Sequence, residues 1–136
     1  MSCLFDSLSY HLDIKNSKKV RTIICEYLKS NEELIEGLET KDLLEIDRPN
    51  YVESMNYDNT WGGAIEIKAA CDIWSLKIIV YHVNFKKKHD KPLFKIEFLP
   101  TTGKRYKKTI NLYYNGCHYE PIFIKEKIKY KKLRLS

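Results

Sequence analysis

Along the first half of the chain apolar residues recur every three to four positions, and along the second half they run together or alternate. A spacing near 3.6 lines one face of a helix and a spacing of two lines one face of a strand, so helices are expected first and strands afterwards. Leu4, Phe5, Leu8 and Leu12 form the first stripe and predict an amphipathic helix with Cys3 in its first turn. Val20, Ile23, Ile24, Tyr27 and Leu28 form a second stripe, with Ser17 as its N-cap and Cys25 packed beside it. Leu34, Ile35, Leu38, Leu43 and Leu44 predict short helical turns between Asn31 and Asp47, ended by Arg48-Pro49-Asn50. Tyr51 to Met55 reads as another short helix and Tyr57 to Thr60 as a turn. Trp61-Gly62-Gly63 then leads into a helix that would bury Ile65, Ala69, Ile73 and Trp74, with Cys71 in its core. Paired glycines at that point allow a close approach that side chains would forbid.

The β-branched and aromatic run Leu76 to Val83 changes the period and predicts a buried strand. Leu93 to Leu99, ended by Pro100, and Thr109 to Tyr114 are two more. Asn115-Gly116 is a strong turn signal, and Cys117 to Ile124 is expected to return as the fourth strand. Helices followed by a small, mostly antiparallel sheet define an α+β domain.

Composition narrows this further. A chain of 136 residues with 43% hydrophobic and 31% charged positions is expected to form one globular domain with its own core. No apolar run approaches the roughly 20 residues that span a bilayer, and the opening is not a basic-then-apolar leader, so an intracellular protein, cytoplasmic or nuclear, is expected. Cys3, Cys25, Cys71 and Cys117 are scattered without a C-x-x-C pair, which suggests reduced thiols, no disulfide framework and no metal site. The net charge of +6 gathers in Lys86-Lys87-Lys88, in Lys104-Arg105-Tyr106-Lys107-Lys108 and in the segment 125–136. Such patches fit a solvated face or, less favoured, contact with nucleic acid through interleaved tyrosines.

Candidate chemistry centres on Cys3. A thiol at a helix N-terminus meets the positive end of the helix dipole, which favours the nucleophilic thiolate; the competing reading is a small buried hydrophobe. A cysteine nucleophile needs a base within hydrogen-bond reach and a third group to orient that base. Of the four histidines, His82 falls in an apolar strand and His89 in a lysine-rich loop. His11 lies eight residues along the helix from Cys3, about 12 Å away at 1.5 Å per residue. His118 follows a tight turn, and Glu120, two residues on, would share its face of a strand.

Taken in order, Cys3-Leu4-Phe5-Asp6-Ser7-Leu8 at a helix start, Trp61-Gly62-Gly63-Ala64-Ile65-Glu66-Ile67 in the middle and His118-Tyr119-Glu120-Pro121-Ile122 near the end resemble the ovarian-tumour (OTU) family of cysteine deubiquitinases. The resemblance covers about residues 2 to 124, and implies a papain-like OTU catalytic domain over 1–124 with a basic tail over 125–136. It implies Cys3 as nucleophile, His118 as general base and Glu120 as the group that orients it. Trp61, Gly62 and Gly63 would shape the cleft on the substrate side, with helix packing as the other reading. The implied reaction is hydrolysis of the bond after the C-terminal glycine of ubiquitin or a ubiquitin-like modifier, by a monomer, without cofactor or membrane. The family's Asp-Gly-Asn-Cys opening is represented here by Met1-Ser2-Cys3. A catalytically impaired module that binds ubiquitin without cleaving it is therefore the alternative, and a nucleic-acid-binding domain the third reading. Richness in Lys, Ile, Asn and Tyr suggests an AT-rich genome, and a host-cell site of action if that genome is viral.

Overall fold

The computed structural model describes residues 3–30, 33–83, 93–101 and 104–121. The lysine run at 86–88, His89, the end of the expected fourth strand at 122–124 and the basic segment 125–136 lie outside the described residues. The N-terminal helices are α1 (Cys3–Leu12), α2 (Ser17–Lys29), α3 (Thr40–Asp47), α4 (Tyr51–Met55) and α5 (Ala64–Trp74). They precede β1 (Leu76–His82), β2 (Phe94–Phe98), β3 (Lys108–Tyr114) and β4 (Tyr119–Pro121).

The first stripe folds as its spacing dictates, with Leu4, Phe5 and Leu8 fully buried on one face of α1. In α2 the cap is Asn16 rather than Ser17: its side-chain oxygen accepts the Lys18 N–H at 2.9 Å, and Ser17 is the first helical residue. Cys25 joins the buried stripe of that helix, as expected. Between 33 and 47 the expected series of turns becomes a single helix. Gly37 adopts φ +82 in a tight turn that pairs Ile35 with Leu38, so no helix passes through and Ile35 is left exposed. In α5 the inward face is rotated from the expected one: Ile67, Ala69, Ala70 and Cys71 are buried, while Ile65, Ile73 and Trp74 are only half-buried. The small residues let α5 lie close against both α2 and β1.

The four strands form one mixed sheet in the order β2-β1-β3-β4. Two pairings are antiparallel, β1 with β2 and β3 with β4. The central pair, β1 with β3, is parallel, in register Ile78 to Ile110 and Val80 to Leu112. A parallel pair requires the chain to cross back between strands. Asp72 of α5 anchors the loop after β2, accepting from the Thr101 main-chain N–H at 2.7 Å and from its hydroxyl at 2.6 Å. The main core, with Leu4, Phe5, Leu8, Ile24, Met55, Ile78 and Leu112, lies between the helices and one face of the sheet. Ile79, Tyr81, Val83 and Tyr113 make a second cluster on the other face. No described helix is long and apolar enough to cross a membrane.

Candidate active site

Residues 116 positions apart in the chain meet where α1 begins and β4 begins. The Tyr119 main-chain N–H donates to Cys3 Sγ at 3.5 Å, and α1 packs along β4. Cys3 is half-buried, and its carbonyl accepts the Ser7 hydroxyl at 2.8 Å, which ties the first turn of α1 to the second. The thiol therefore sits in the first turn of α1, within reach of a main-chain N–H from β4.

The turn before β4 presents His118. Asn115 Oδ1 accepts the main-chain N–H of His118 at 2.8 Å and that of Cys117 at 3.0 Å, and Asn115 N donates back to the His118 carbonyl at 3.3 Å. Gly116 takes φ +104, and its carbonyl accepts the Tyr114 hydroxyl at 2.7 Å. His118 is exposed and immediately precedes the residue whose N–H meets Cys3. The expected strand from Cys117 is shorter by two residues at its start, because Cys117 and His118 belong to this turn. The two-residue strand rule therefore does not relate His118 to Glu120. Glu120 pairs with Tyr113, a residue of the cluster on the far face, whereas Tyr119 pairs with Tyr114 on the face toward α1. The structure thus brings Cys3 and the His118–Tyr119 segment together and places Glu120 one residue further on, half-buried in β4.

Trp61-Gly62-Gly63 does two jobs beside this site. Gly62 presses on the first turn of α1: a Cβ built there would lie 2.8 Å from Leu4 Cδ2 and 2.9 Å from Phe5 Cζ. The close approach expected at the glycine pair is therefore made by Gly62 to α1, while a Cβ at Gly63 would meet nothing within 4 Å. Gly63 caps α5, and its N–H donates to Glu66 Oε1 at 2.7 Å. The other oxygen of Glu66 accepts the Tyr51 hydroxyl at 2.6 Å. Burial raises the pKa of Glu66 above its ordinary value, against these two hydrogen bonds, which favour the carboxylate. Trp61 is half exposed at the surface.

Sequence reasoning passed over an apolar groove of about 390 Å³ that reaches the site. Its floor is a row of rings crossing all four strands. Phe94 stacks on His82 at 4.5 Å, His82 meets Tyr114 edge-on at 5.6 Å, and Tyr114 stacks on Tyr119 at 4.2 Å. Gly62, Gly63 and Ala64 form a wall. His82 is thus half-buried in a groove rather than enclosed in the sheet, and its register opposite Phe94 and Tyr114 was the signal. The other thiols divide clearly. Burial pushes Cys25 up to about 11 and Cys71 up to about 12, while Cys117 is exposed. Among the described residues no group of three or more His, Cys, Asp or Glu is placed to hold a metal ion.

A half-buried thiol at a helix N-terminus, met by a histidine-bearing turn from the far end of the chain, is the arrangement of a papain-like thiol enzyme. The chain belongs to the family of OTU-like cysteine proteases, whose pattern its residues 2–120 match. Ubiquitin thioesterase OTU1 of Dictyostelium discoideum is 24% identical over 127 residues, which cover 90% of this chain and 35% of that protein. Ubiquitin thioesterase OTU1 of Rattus norvegicus is 28% identical over 127 residues, covering 89% and 33%. The chain therefore spans about a third of the length of these relatives. Among solved structures, the viral OTU domain protease from Dera Ghazi Khan virus superposes with a TM-score of 0.64 at 18% identity, covering 88% of this chain and 72% of that one. An ovarian tumour (OTU) domain in complex with ubiquitin superposes with a TM-score of 0.63 at 21% identity, covering 96% and 73%. These likenesses establish the α+β OTU fold.

Proposed function

We propose that this chain is a cysteine-dependent deubiquitinase that hydrolyses the bond after the C-terminal glycine of ubiquitin or a similar modifier. The observation that carries this reading is the meeting of Cys3, at the start of α1, with the turn that bears His118. Family membership and the ubiquitin thioesterases among its relatives support the choice of substrate.

In this reading His118 takes the thiol proton, and the Cys3 thiolate attacks the carbonyl carbon of the terminal glycine. Main-chain N–H groups at the α1 N-terminus face the oxyanion, a contribution of about 3 kcal/mol for each well-placed donor. His118 returns the proton to the departing lysine amine, leaving a thioester on Cys3. It then activates the water that releases the modifier and restores the thiol. Glu120 orients the imidazole, as the resemblance implies. The extended tail of the modifier lies in the groove floored by Phe94, His82, Tyr114 and Tyr119, with Gly62 and Gly63 as the wall it passes and Trp61 at the rim. The partner is a ubiquitin-type protein, and the chain acts as a monomer, with no cofactor, inside the cell.

The test is a ubiquitin probe with a cysteine-reactive C-terminus, read by intact mass and peptide mapping. The expected result is one adduct, on Cys3, absent from Cys3→Ala and strongly slowed in His118→Ala. No adduct from folded protein, or an adduct on the exposed Cys117 instead, overturns the assignment. Capture of ubiquitin without any adduct would favour the non-cleaving module.

A further inference from the structure

Arg21 is a charged side chain in the place of a core residue. It is 1% exposed, and burial lowers its pKa from the ordinary arginine value, yet its guanidinium stays a cation at any ordinary pH. Burying a cation is expensive, and an apolar side chain of similar volume often serves stability equally well at such a position. Something other than core filling therefore keeps a guanidinium there.

Its contacts point to the nucleophile's helix. The guanidinium carbon lies 4.1 Å from the centre of the Phe5 ring, a cation resting on a ring face two residues beyond Cys3. A second restraint on that ring is Gly62, whose Cα leaves no room for a methyl group beside Phe5 Cζ and Cε2. The same guanidinium donates to the Met55 carbonyl at 2.8 Å and to the Asp58 carbonyl at 3.3 Å. Those carbonyls close α4 and open the segment that leads on to Trp61 and Gly62. One planar fork thus holds the Phe5 ring with its face and, with its edge, the stretch of chain that leads to the glycine touching that ring.

We propose that Arg21 is a positioning residue for Cys3, fixing the first turn of α1 by holding the Phe5 ring and the segment that leads to Gly62 in one grip. The inference rests on the reading of Cys3 as nucleophile. A lysine in its place would keep the charge and lose both the flat face and the fork, so Arg21→Lys is the informative variant beside Arg21→Met. Leu28→Ala is the control. It truncates the core on the same helix, seven residues and about 10 Å along the axis from Arg21.

Two readouts are taken well below the lowest melting temperature. With a fluorogenic ubiquitin C-terminal substrate, both Arg21 variants should lose about 10- to 100-fold in kcat with KM nearly unchanged, the consequence of misplacing a nucleophile by a fraction of an ångström. Leu28→Ala, at an equal or larger loss of Tm, should keep its kcat. In the second readout, neutral iodoacetamide should alkylate Cys3 at least about fivefold faster in the Arg21 variants than in the control, because the first turn opens locally. Equal kcat in the Arg21 variants and the control overturns the proposal, and so does unchanged alkylation. A wild-type protein that cleaves nothing overturns the functional reading, and the alkylation rates then still decide the role of Arg21.

Discussion

A single methyl group at position 62 should disable this protein, and the same group at position 63 should not. The Cβ of Gly62→Ala would meet Leu4 Cδ2 at 2.8 Å and the Phe5 ring at 2.9 and 3.0 Å. Ordinary carbon contacts lie near 3.5–4.0 Å, so something must retreat by about 0.5–1 Å. Neither neighbour can swing aside, because Leu4 is 1% and Phe5 0% exposed, and Arg21 covers the Phe5 ring. The retreat therefore falls on the main chain of α1 or of the loop at 61–63. Overpacking of this kind costs about 1–3 kcal/mol, a fall in Tm on the order of 5–10 °C for a domain of this size. A shift of half an ångström or more at Cys3 should lower kcat by about 10- to 100-fold beyond any loss of folded protein. A Cβ at Gly63 meets nothing within 4 Å, so Gly63→Ala should hold stability within about 0.5 kcal/mol and keep kcat near wild type, with any effect of the added methyl on the groove falling on KM. Thermal melts and steady-state cleavage of a fluorogenic ubiquitin substrate, run on both variants, decide it. Equal behaviour of the two alanines would refute the contact between the glycine loop and α1 as the reason for the glycine.

Asn115→Ala removes the acceptor for two main-chain N–H groups and should slow turnover about tenfold by loosening the turn under His118, with a stability loss of only about 1 kcal/mol in urea titrations. Brief alkylation at mildly alkaline pH should label Cys3 and Cys117 in the folded protein and spare Cys25 and Cys71, which burial holds at about 11 and about 12; peptide mass mapping reads the pattern, and early labelling of Cys71 would contradict the packing of α5. Glu66 has a raised pKa in the folded chain, so its protonated form favours folding below the ordinary glutamate value, and that contribution disappears as pH rises through the folded one. Wild type should therefore lose stability relative to Glu66→Gln as pH rises above the ordinary glutamate value, and a parallel pair of stability curves would contradict it. Ile96→Asp, on the half-exposed wall of the groove, should raise KM for a ubiquitin substrate severalfold while leaving Tm within a few degrees.

What could be read from the chain beforehand was what depends on neighbours in sequence. The stripe Leu4, Phe5, Leu8 located α1 and the thiol in its first turn, and the run from Leu76 located β1, because burial on one face imposes a period whatever the partner is. Asn115-Gly116 announced its turn through the left-handed angle that glycine tolerates. Less legible were features set by distant packing. Ala69 and Cys71 were expected in the core of α5 and are there, but Ile65 and Ile73 are only half-buried and Ile67 and Ala70 face inward, because two neighbours crowd that side. The parallel pairing of β1 with β3 leaves no local mark, since a strand reads alike in either direction. His118 and Glu120 were linked by strand alternation, and the turn held by Asn115 ends before the strand begins. Arg21 was passed over because a lone arginine in an amphipathic helix normally faces water; only the contacts with Phe5, Met55 and Asp58 reveal its burial.

The contact between Cys3 and Tyr119 also sets when, during synthesis, the candidate site can come together. Contacts of long sequence separation form late, after the loops between them have closed. A ribosome that has released α1 through α5 has already exposed the thiol, but β3, the Asn115 turn and β4 are still to come. Through most of synthesis the cysteine is an ordinary side chain on a partial chain. The meeting of Cys3 with the turn that bears His118 waits for β4, so a polypeptide broken off before residue 118 carries the thiol without that turn. Under the proposed function, a nascent or truncated copy should leave ubiquitin conjugates uncut.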